Sequence, residues 1–135
     1  MRKFILSMFV LLLSVTAVMA QSGEEALKDA KKAFDNYTLT GDATKLTEAV
    51  DMAAKVMADP ATSASSKALV EIGDIYAAAV NNYVIARSTN LTDPAATEKL
   101  VDGAAVKSAE AFMTAYKNAD PKKGKKYMKA ALKGL

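Results

Sequence analysis

The sequence predicts an all-α domain of about five helices packed as antiparallel hairpins, placed after an N-terminal export signal. After residue 21 the chain is rich in alanine, and its apolar residues recur at helical rather than alternating spacing. Pro60, Pro94 and Pro121 are the three prolines, and each lies where a helix should begin or end. The 135 residues fit a single domain and exclude a large multidomain enzyme.

Residues 1–20 have the pattern of a secretory signal. Arg2 and Lys3 make a basic start, an apolar run covers 4–13, and small residues lead to Ala20, where a signal peptidase would cleave. We therefore expect an exported protein, periplasmic or secreted. The alternative is an uncleaved N-terminal anchor, since this apolar stretch is near the lower limit for crossing about 30 Å of hydrocarbon.

Helix one is predicted over residues 23–39. Ser22 followed by Glu25 is a capping-box pattern, in which the hydroxyl accepts a hydrogen bond from a free backbone N–H. Gly41 can adopt the left-handed conformation that closes a helix. The buried face is predicted from helical spacing to comprise Leu27, Ala30, Phe34 and Tyr37.

Helix two is predicted over residues 43–58, with Asp42 as its N-cap. Asp59 before Pro60 ends it, because a residue that precedes proline is disfavoured in the helical region. Residues 61–66 are predicted to form a loop. The buried face of helix two is predicted to comprise Leu46, Ala49, Val50, Ala53 and Met57.

Helix three is predicted over residues 66–87. Its interior contains Gly73, which costs about 1 kcal/mol relative to alanine inside a helix. We expect another helix to cross closely at this glycine. The buried face is predicted to comprise Leu69, Ile72, Gly73, Tyr76, Val80 and Tyr83.

Helix four is predicted as one continuous helix over residues 94–119, with Asp93 as its cap, and helix five over 122–132. Asp120 before Pro121 separates the two. The inward residues of helix four are predicted to be Leu100, Val101, Ala104, Ser108, Phe112, Ala115 and Tyr116. Those of helix five are predicted to be Tyr127, Ala130 and Ala131, with lysines facing outward.

The chain repeats itself weakly, and the repeat resembles a known family. Ala58-Asp59-Pro60 recurs as Ala119-Asp120-Pro121, and helix three carries Leu69-x-x-Ile72-Gly73-x-x-Tyr76. These features resemble the tetratricopeptide repeat, whose first helix has a large residue, then Leu-Gly, then Tyr, and whose second helix ends near a proline.

The resemblance implies a fragment of an α-solenoid. The implied parts are a first unit (23–60), an extended second unit (63–121) and a C-terminal basic capping helix (122–135), all within a domain over 21–135. Phe34 departs from the family, because it occupies a position where a small residue is usual. An irregular helical bundle without repeat ancestry is the alternative.

The composition argues against catalysis. Cysteine and histidine are both absent, which excludes a cysteine nucleophile and a thiolate metal site and removes the commonest general base and the commonest metal ligand. Carboxylates at helical spacing are interpreted as solvated helix faces, and they comprise Glu25 with Asp29, Glu48 with Asp51, and Glu71 with Asp74. We expect no enzyme activity, no cofactor and no metal site.

Protein binding is the function that the resemblance implies. In the tetratricopeptide family, partners lie along a concave surface made by the first helix of each unit. The corresponding positions here are Lys28, Lys31, Asp35, Lys67, Val70, Asp74, Lys125 and Met128. Their lysines could hold an acidic or carboxylate-ended peptide, or they could be ordinary solvated lysines. The chain could also pack against a second copy of itself.

Surface attachment is the alternative function. Residues 117–135 hold seven lysines and one acid, whereas residues 21–116 hold nine basic and 14 acidic residues. Such a basic amphipathic segment can lie on an anionic membrane or polyanion surface. The attachment residues would be Lys122, Lys123, Lys125, Lys126, Lys129 and Lys133, with Tyr127, Met128, Leu132 and Leu135 as the apolar side. Export and the absence of a base-reading motif argue against nucleic acid as the partner.

Overall fold

The computed structural model describes residues 22–89 and 94–135, apart from the side chains of Pro94 and Ala96. Within these ranges every regular element is a helix, which confirms the all-α prediction. The predicted signal peptide and the predicted Asp93 cap lie outside the described residues. The helices are α1 (Gly23–Thr40), α2 (Ala43–Ala58), α3 (Pro60–Ser63), α4 (Ser66–Thr89), α5 (Pro94–Val101), α6 (Ala104–Asn118) and α7 (Lys125–Gly134).

The turn between α1 and α2 follows the predicted local signals. Ser22 Oγ accepts a hydrogen bond from the Glu25 amide at the start of α1. Gly41 ends α1 with a φ of 71°, and its N–H donates to the Tyr37 carbonyl at 2.7 Å. Asp42 then caps α2 by accepting from the Thr44 amide at 2.9 Å. A two-residue connection makes α1 and α2 antiparallel neighbours.

The predicted loop after α2 instead contains the short helix α3, so this prediction is wrong. Asp59 Oδ2 accepts from the amide and the hydroxyl of Thr62, at 2.9 and 2.7 Å. These two hydrogen bonds lower the pKa of Asp59. The Thr62 hydroxyl also bonds the Val56 carbonyl at 3.1 Å, and its side chain is buried. The Thr62 side chain therefore holds α3 against the end of α2.

The predicted helix over 94–119 is two helices, α5 and α6. Gly103 separates them with a φ of 64°, in the left-handed region that an α-helix does not contain. The prediction of one continuous helix is wrong because the apolar spacing runs across the break without a proline to mark it.

The last helix begins three residues later than predicted. Asp120 Oδ1 accepts from the amides of Lys122 and Lys123, at 2.7 and 2.9 Å. The Gly124 amide donates to the Asp120 carbonyl at 2.7 Å, so residues 120–124 form a closed turn before α7. Two of the lysines assigned to the helix therefore lie in this turn.

Small side chains form the contact between α1 and α2, as the alanine-rich sequence predicts. Val56 and Leu46 are the larger buried side chains of α2. The alanines buried between the two helices are Ala26, Ala30 and Ala33 of α1 and Ala49 and Ala53 of α2. The predicted inward face of α1 is rotated relative to the observed one, because Leu27, Phe34 and Tyr37 are only half-buried. Alanines allow the close axes that larger residues would prevent.

The second half of the core is organised around Phe112 of α6. A Cβ atom added at Gly73 of α4 would lie 2.6 Å from the Phe112 ring, and one at Gly134 of α7 would also overlap the ring. Ser108 Oγ donates to the Gly73 carbonyl at 2.9 Å. The predicted close crossing at Gly73 is thus confirmed, and α7 closes the other side of the same ring.

Candidate interaction surfaces

Helices α1 and α4 run parallel beside each other, as three links along their length establish. Leu27 and Ala68 line one cleft near the helix starts. Lys31 Nζ forms an ion pair with Glu71 Oε1 at 2.9 Å. Further along, Asn82 Nδ2 donates to the Tyr37 hydroxyl at 3.3 Å. Residue numbers increase together in all three links, which fixes the direction and the register.

The ion pair between Lys31 and Glu71 lies in the middle of a charge gradient on this surface. One helical turn before it lie Lys28 and Lys67, and one turn after it lie Asp35 and Asp74. All four of these residues are exposed. We call the surface formed by these six residues the α1–α4 face, and its charge changes from positive to negative along both helices.

Glu71 is the residue of the α1–α4 face that sequence reasoning did not nominate. Its Oε1 atom pairs with Lys31, whereas its buried Oε2 atom has no hydrogen-bond partner among the described residues. The pairing raises the pKa of Lys31. The signal for Glu71 was available, because it lies four residues after Lys67 and three before Asp74, on the same side of α4.

Helix α7 contributes to the α1–α4 face through a lysine that was assigned to surface attachment. Lys133 is close enough to Asp74 to lower the pKa of that carboxyl. Met128 is five residues earlier in α7 and points about 140° away around the helix, so it does not share this side with Lys133. Lys125 is exposed, whereas Met128 and Val70 of α4 are half-buried.

Replacing Asp74 with asparagine is expected to stabilise the protein at neutral pH. Two effects raise the pKa of Asp74. The larger is burial, which removes water from its carboxyl, and the smaller is the negative charge of Glu71. The positive charge of Lys133 offsets part of this rise. A carboxyl with a raised folded-state pKa favours folding below its unfolded pKa and loses that contribution as the pH rises through the folded pKa. Asparagine carries no charge, so the variant avoids the free-energy cost of a charged carboxylate at this position above the folded-state pKa of Asp74.

Urea denaturation at about pH 7 and about pH 3 checks this expectation, because an unfolded aspartate titrates near 3.9. The stability gain from Asp74→Asn should be present at the higher pH and absent at the lower one. Asp35→Asn changes the matched position on α1 and serves as the control. An equal gain at both pH values would contradict the electrostatic explanation.

A second surface lies at the end of the molecule where α4 and α7 begin. A cleft of about 350 Å³ is lined there by Ser65, Ser66, Lys67, Ala119, Asp120, Lys123, Gly124 and Tyr127. Lys126 Nζ lies 4.8 Å from the centre of the Tyr127 ring. The lysines of the basic segment are all exposed, and they are Lys122, Lys123, Lys125, Lys126, Lys129 and Lys133.

The carboxylates of the described residues do not assemble into a metal centre. No group of three or more potential ligands is close enough to hold a metal ion within 22–89 and 94–135. Glu48 forms an ion pair with Lys45 at 2.7 Å, and Glu71 pairs with Lys31. Lysine therefore engages one member of the Glu48–Asp51 pair and one member of the Glu71–Asp74 pair.

Comparison with known proteins returns no relative. No family model matches the chain, and no curated protein or solved structure matches it. In the part of the chain that the structure describes, no helix has the length and apolar character needed to cross a membrane.

Proposed function

We propose that this chain is an exported protein–protein interaction module of tetratricopeptide-like design, without catalytic activity, and that the α1–α4 face receives its partner. The observation that carries the proposal is the registered pairing of α1 with α4 through Lys31 and Glu71. This pairing aligns exposed side chains from two helices that are distant in sequence. The resemblance to tetratricopeptide repeats, in which first helices line the binding surface, supports the same face.

The charge gradient defines the chemistry of the partner. Neither Lys28 nor Lys67 pairs with a carboxylate among the described residues, so both can bind acidic side chains or a terminal carboxylate. Asp35 and Asp74 at the other end favour a basic group. The partner is therefore an extended or helical segment with an acidic end and a basic end, bound in one direction.

Synthetic peptides with different charge arrangements test this proposal. Two peptides with the same composition, one with its acids at one end and its bases at the other and one with acids and bases alternating, are titrated against the full chain by fluorescence polarisation. The peptide with separated charges should bind at least about tenfold more tightly, since alternating charges meet like charges at both ends of the face. Equal affinities for the two peptides would contradict a binding face that has one positive end and one negative end.

A double charge reversal identifies the residues responsible. Lys28→Glu with Lys67→Glu should abolish the preference for the better peptide, because it makes both ends of the face acidic. Lys32→Glu with Lys99→Glu is the matched control, since both lysines are exposed and lie outside the face. A preference that survives the first pair, or is lost with the second, would place binding elsewhere.

A further inference from the structure

The exposed large apolar side chains are concentrated on α6 and α7. Eight such side chains are exposed among the described residues, and five of them belong to these two helices. Single apolar residues are common on protein surfaces, whereas a group of them on neighbouring helices indicates an interaction site. The five are Val106, Met113 and Tyr116 of α6 and Leu132 and Leu135 of α7.

Helices α6 and α7 lie side by side and run in opposite directions. Gly124, just before α7, lies against Ala119, just after α6. Gly134, at the other end of α7, packs on the ring of Phe112. Because α7 returns along α6, the two helices present one joint outer surface.

The apolar side of α7 is turned toward α6. Met128, Leu132 and Leu135 follow one another at intervals of four and three residues, so they share one side of the helix. Leu135 lines a cleft with Ala109 of α6. Lys133 instead approaches α4, on the other side of α7.

The matching side of α6 carries the other exposed apolar residues. Val106 and Met113 are seven residues apart and lie on one line along the outside of the helix. Tyr116 lies four residues after Phe112, whose ring packs on α7, so Tyr116 is on the α7 side of that line. We call the joint surface the α6–α7 face, and it comprises Val106, Met113, Tyr116, Met128, Leu132 and Leu135. It shares no residue with the α1–α4 face.

Two opposite charges lie along the edge of the α6–α7 face that is away from α7. Glu110 follows Val106 by four residues and Lys117 follows Met113 by four, so both charges lie on the same edge, about 10 Å apart along the helix. Both side chains are exposed, and neither forms an ion pair among the described residues.

A second copy of the chain supplies the opposite charge for both residues at once. The midpoint between Glu110 and Lys117 falls between Met113 and Thr114. A copy turned end for end about this midpoint places its Lys117 opposite Glu110 and its Glu110 opposite Lys117. The same rotation brings the two apolar surfaces together. An interface on a two-fold axis requires a surface that is self-complementary in this way.

The lysines on the α7 edge of the face are compatible with this arrangement. The rotation places the first turn of one α7 beside the last turn of the other, because α7 spans equal lengths of α6 on both sides of the midpoint. Lys125 in the first turn then lies near the carbonyl end of the second α7, where the helix dipole favours a positive charge. Lys129 is exposed at the outer edge, where salt screens its repulsion.

We propose that two copies of the chain associate through the α6–α7 face as a two-fold symmetric dimer, with apolar side chains in its centre and two Glu110–Lys117 ion pairs along one edge. Helix α6 has 15 residues and is about 22 Å long, and two adjacent helices are about 20 Å wide. The outline of the face is therefore about 400 Å² per copy, below the roughly 800 Å² that each partner buries in a standard interface. A dimer of this size is reversible and depends on protein concentration.

Charge-reversed variants test the two-fold arrangement. Analytical ultracentrifugation of the purified chain at low salt, from about 1 µM to about 1 mM, should show a monomer–dimer equilibrium. Glu110→Lys and Lys117→Glu should each weaken dimerisation at least about tenfold, because each creates two like-charge pairs. The double variant should recover most of this loss, and an equal mixture of the two single variants should form a heterodimer more tightly than either variant self-associates.

Lys32→Glu and Asp51→Lys make the same charge changes on exposed positions of α1 and α2, and they should leave the equilibrium within about twofold of the original. A chain that stays monomeric over the whole concentration range would overturn the dimer. Single variants without effect, or a mixture that associates no more tightly than its components, would overturn the two-fold pairing.

A pair of apolar substitutions tests the centre of the face. Met113→Gln with Leu132→Gln should weaken dimerisation at least about tenfold, because exposed apolar surface then no longer leaves water on association. Leu39→Gln with Ile85→Gln is the matched control, since both residues are exposed and lie outside α6 and α7. Equal effects from the two pairs would overturn the α6–α7 face as the interface.

Discussion

Replacing Phe112 with alanine is expected to lower the free energy of unfolding by about 3–5 kcal/mol. The ring is 1% exposed and lies between two glycines, Gly73 of α4 and Gly134 of α7. Its removal leaves a cavity between three helices that the two glycines have no side chains to fill. A domain of this size is stable by about 5–15 kcal/mol in total, so the variant loses a large fraction of its stability.

Thermal and urea unfolding followed by circular dichroism measure this loss, which should appear as a fall of about 10–20 °C in the melting temperature. Met113→Ala is the control, because Met113 is the next residue of the same helix and is 44% exposed. Its cost should stay below about 1 kcal/mol. A cost for Phe112→Ala as small as that of the control would show that the ring does not hold these helices together.

Replacing Gly73 with valine is expected to destabilise the protein by about 1–3 kcal/mol, although valine is a better helix former than glycine. The added Cβ would lie 2.6 Å from Phe112 Cε1, so α4 and α6 must move apart or the ring must leave its position. Separation of the helices would also stretch the 2.9 Å hydrogen bond from Ser108 to the Gly73 carbonyl.

Ala77→Val provides the matched substitution one turn later on α4. Ala77 is half-buried and lines an open cleft of about 250 Å³, so a larger side chain has room there. Its effect should be within about 1 kcal/mol. Adding Phe112→Leu to Gly73→Val should recover part of the loss, with a coupling of about 0.5–3 kcal/mol. Additive losses would mean that the valine does not act through the ring.

Residues with a local conformational requirement were predictable from the sequence. Gly41 was predicted to close α1 and Asp42 to cap α2, and the structure shows both residues in these roles. Gly73 was predictable for a related reason, since an interior glycine is costly unless a neighbouring helix needs the space. The all-α class followed from the spacing of apolar residues along the whole chain.

Features that depend on tertiary contacts were not predictable in the same way. The break at Gly103 was missed because glycine tolerates both helical and left-handed conformations, and its neighbours continue the apolar pattern. The buried face of α1 was misplaced because large residues such as Phe34 were given more weight than alanines. The spacing of Glu71 to Lys67 and Asp74 was visible in the sequence, but its pairing with Lys31, forty residues away, depends on the placement of α1 beside α4.

The thin connection between α1 and α4 has a consequence for amide hydrogen exchange. The α1–α2 hairpin is joined internally by its alanine contacts, whereas α1 meets α4 through one ion pair, one tyrosine–asparagine hydrogen bond and a shallow cleft. Because α2 also packs against α4, the contacts between α1 and α4 can open locally while α2 stays attached to the core. A ligand that spans both helices would close this opening route, so slower deuterium uptake in α1 would report binding even if the fold did not change.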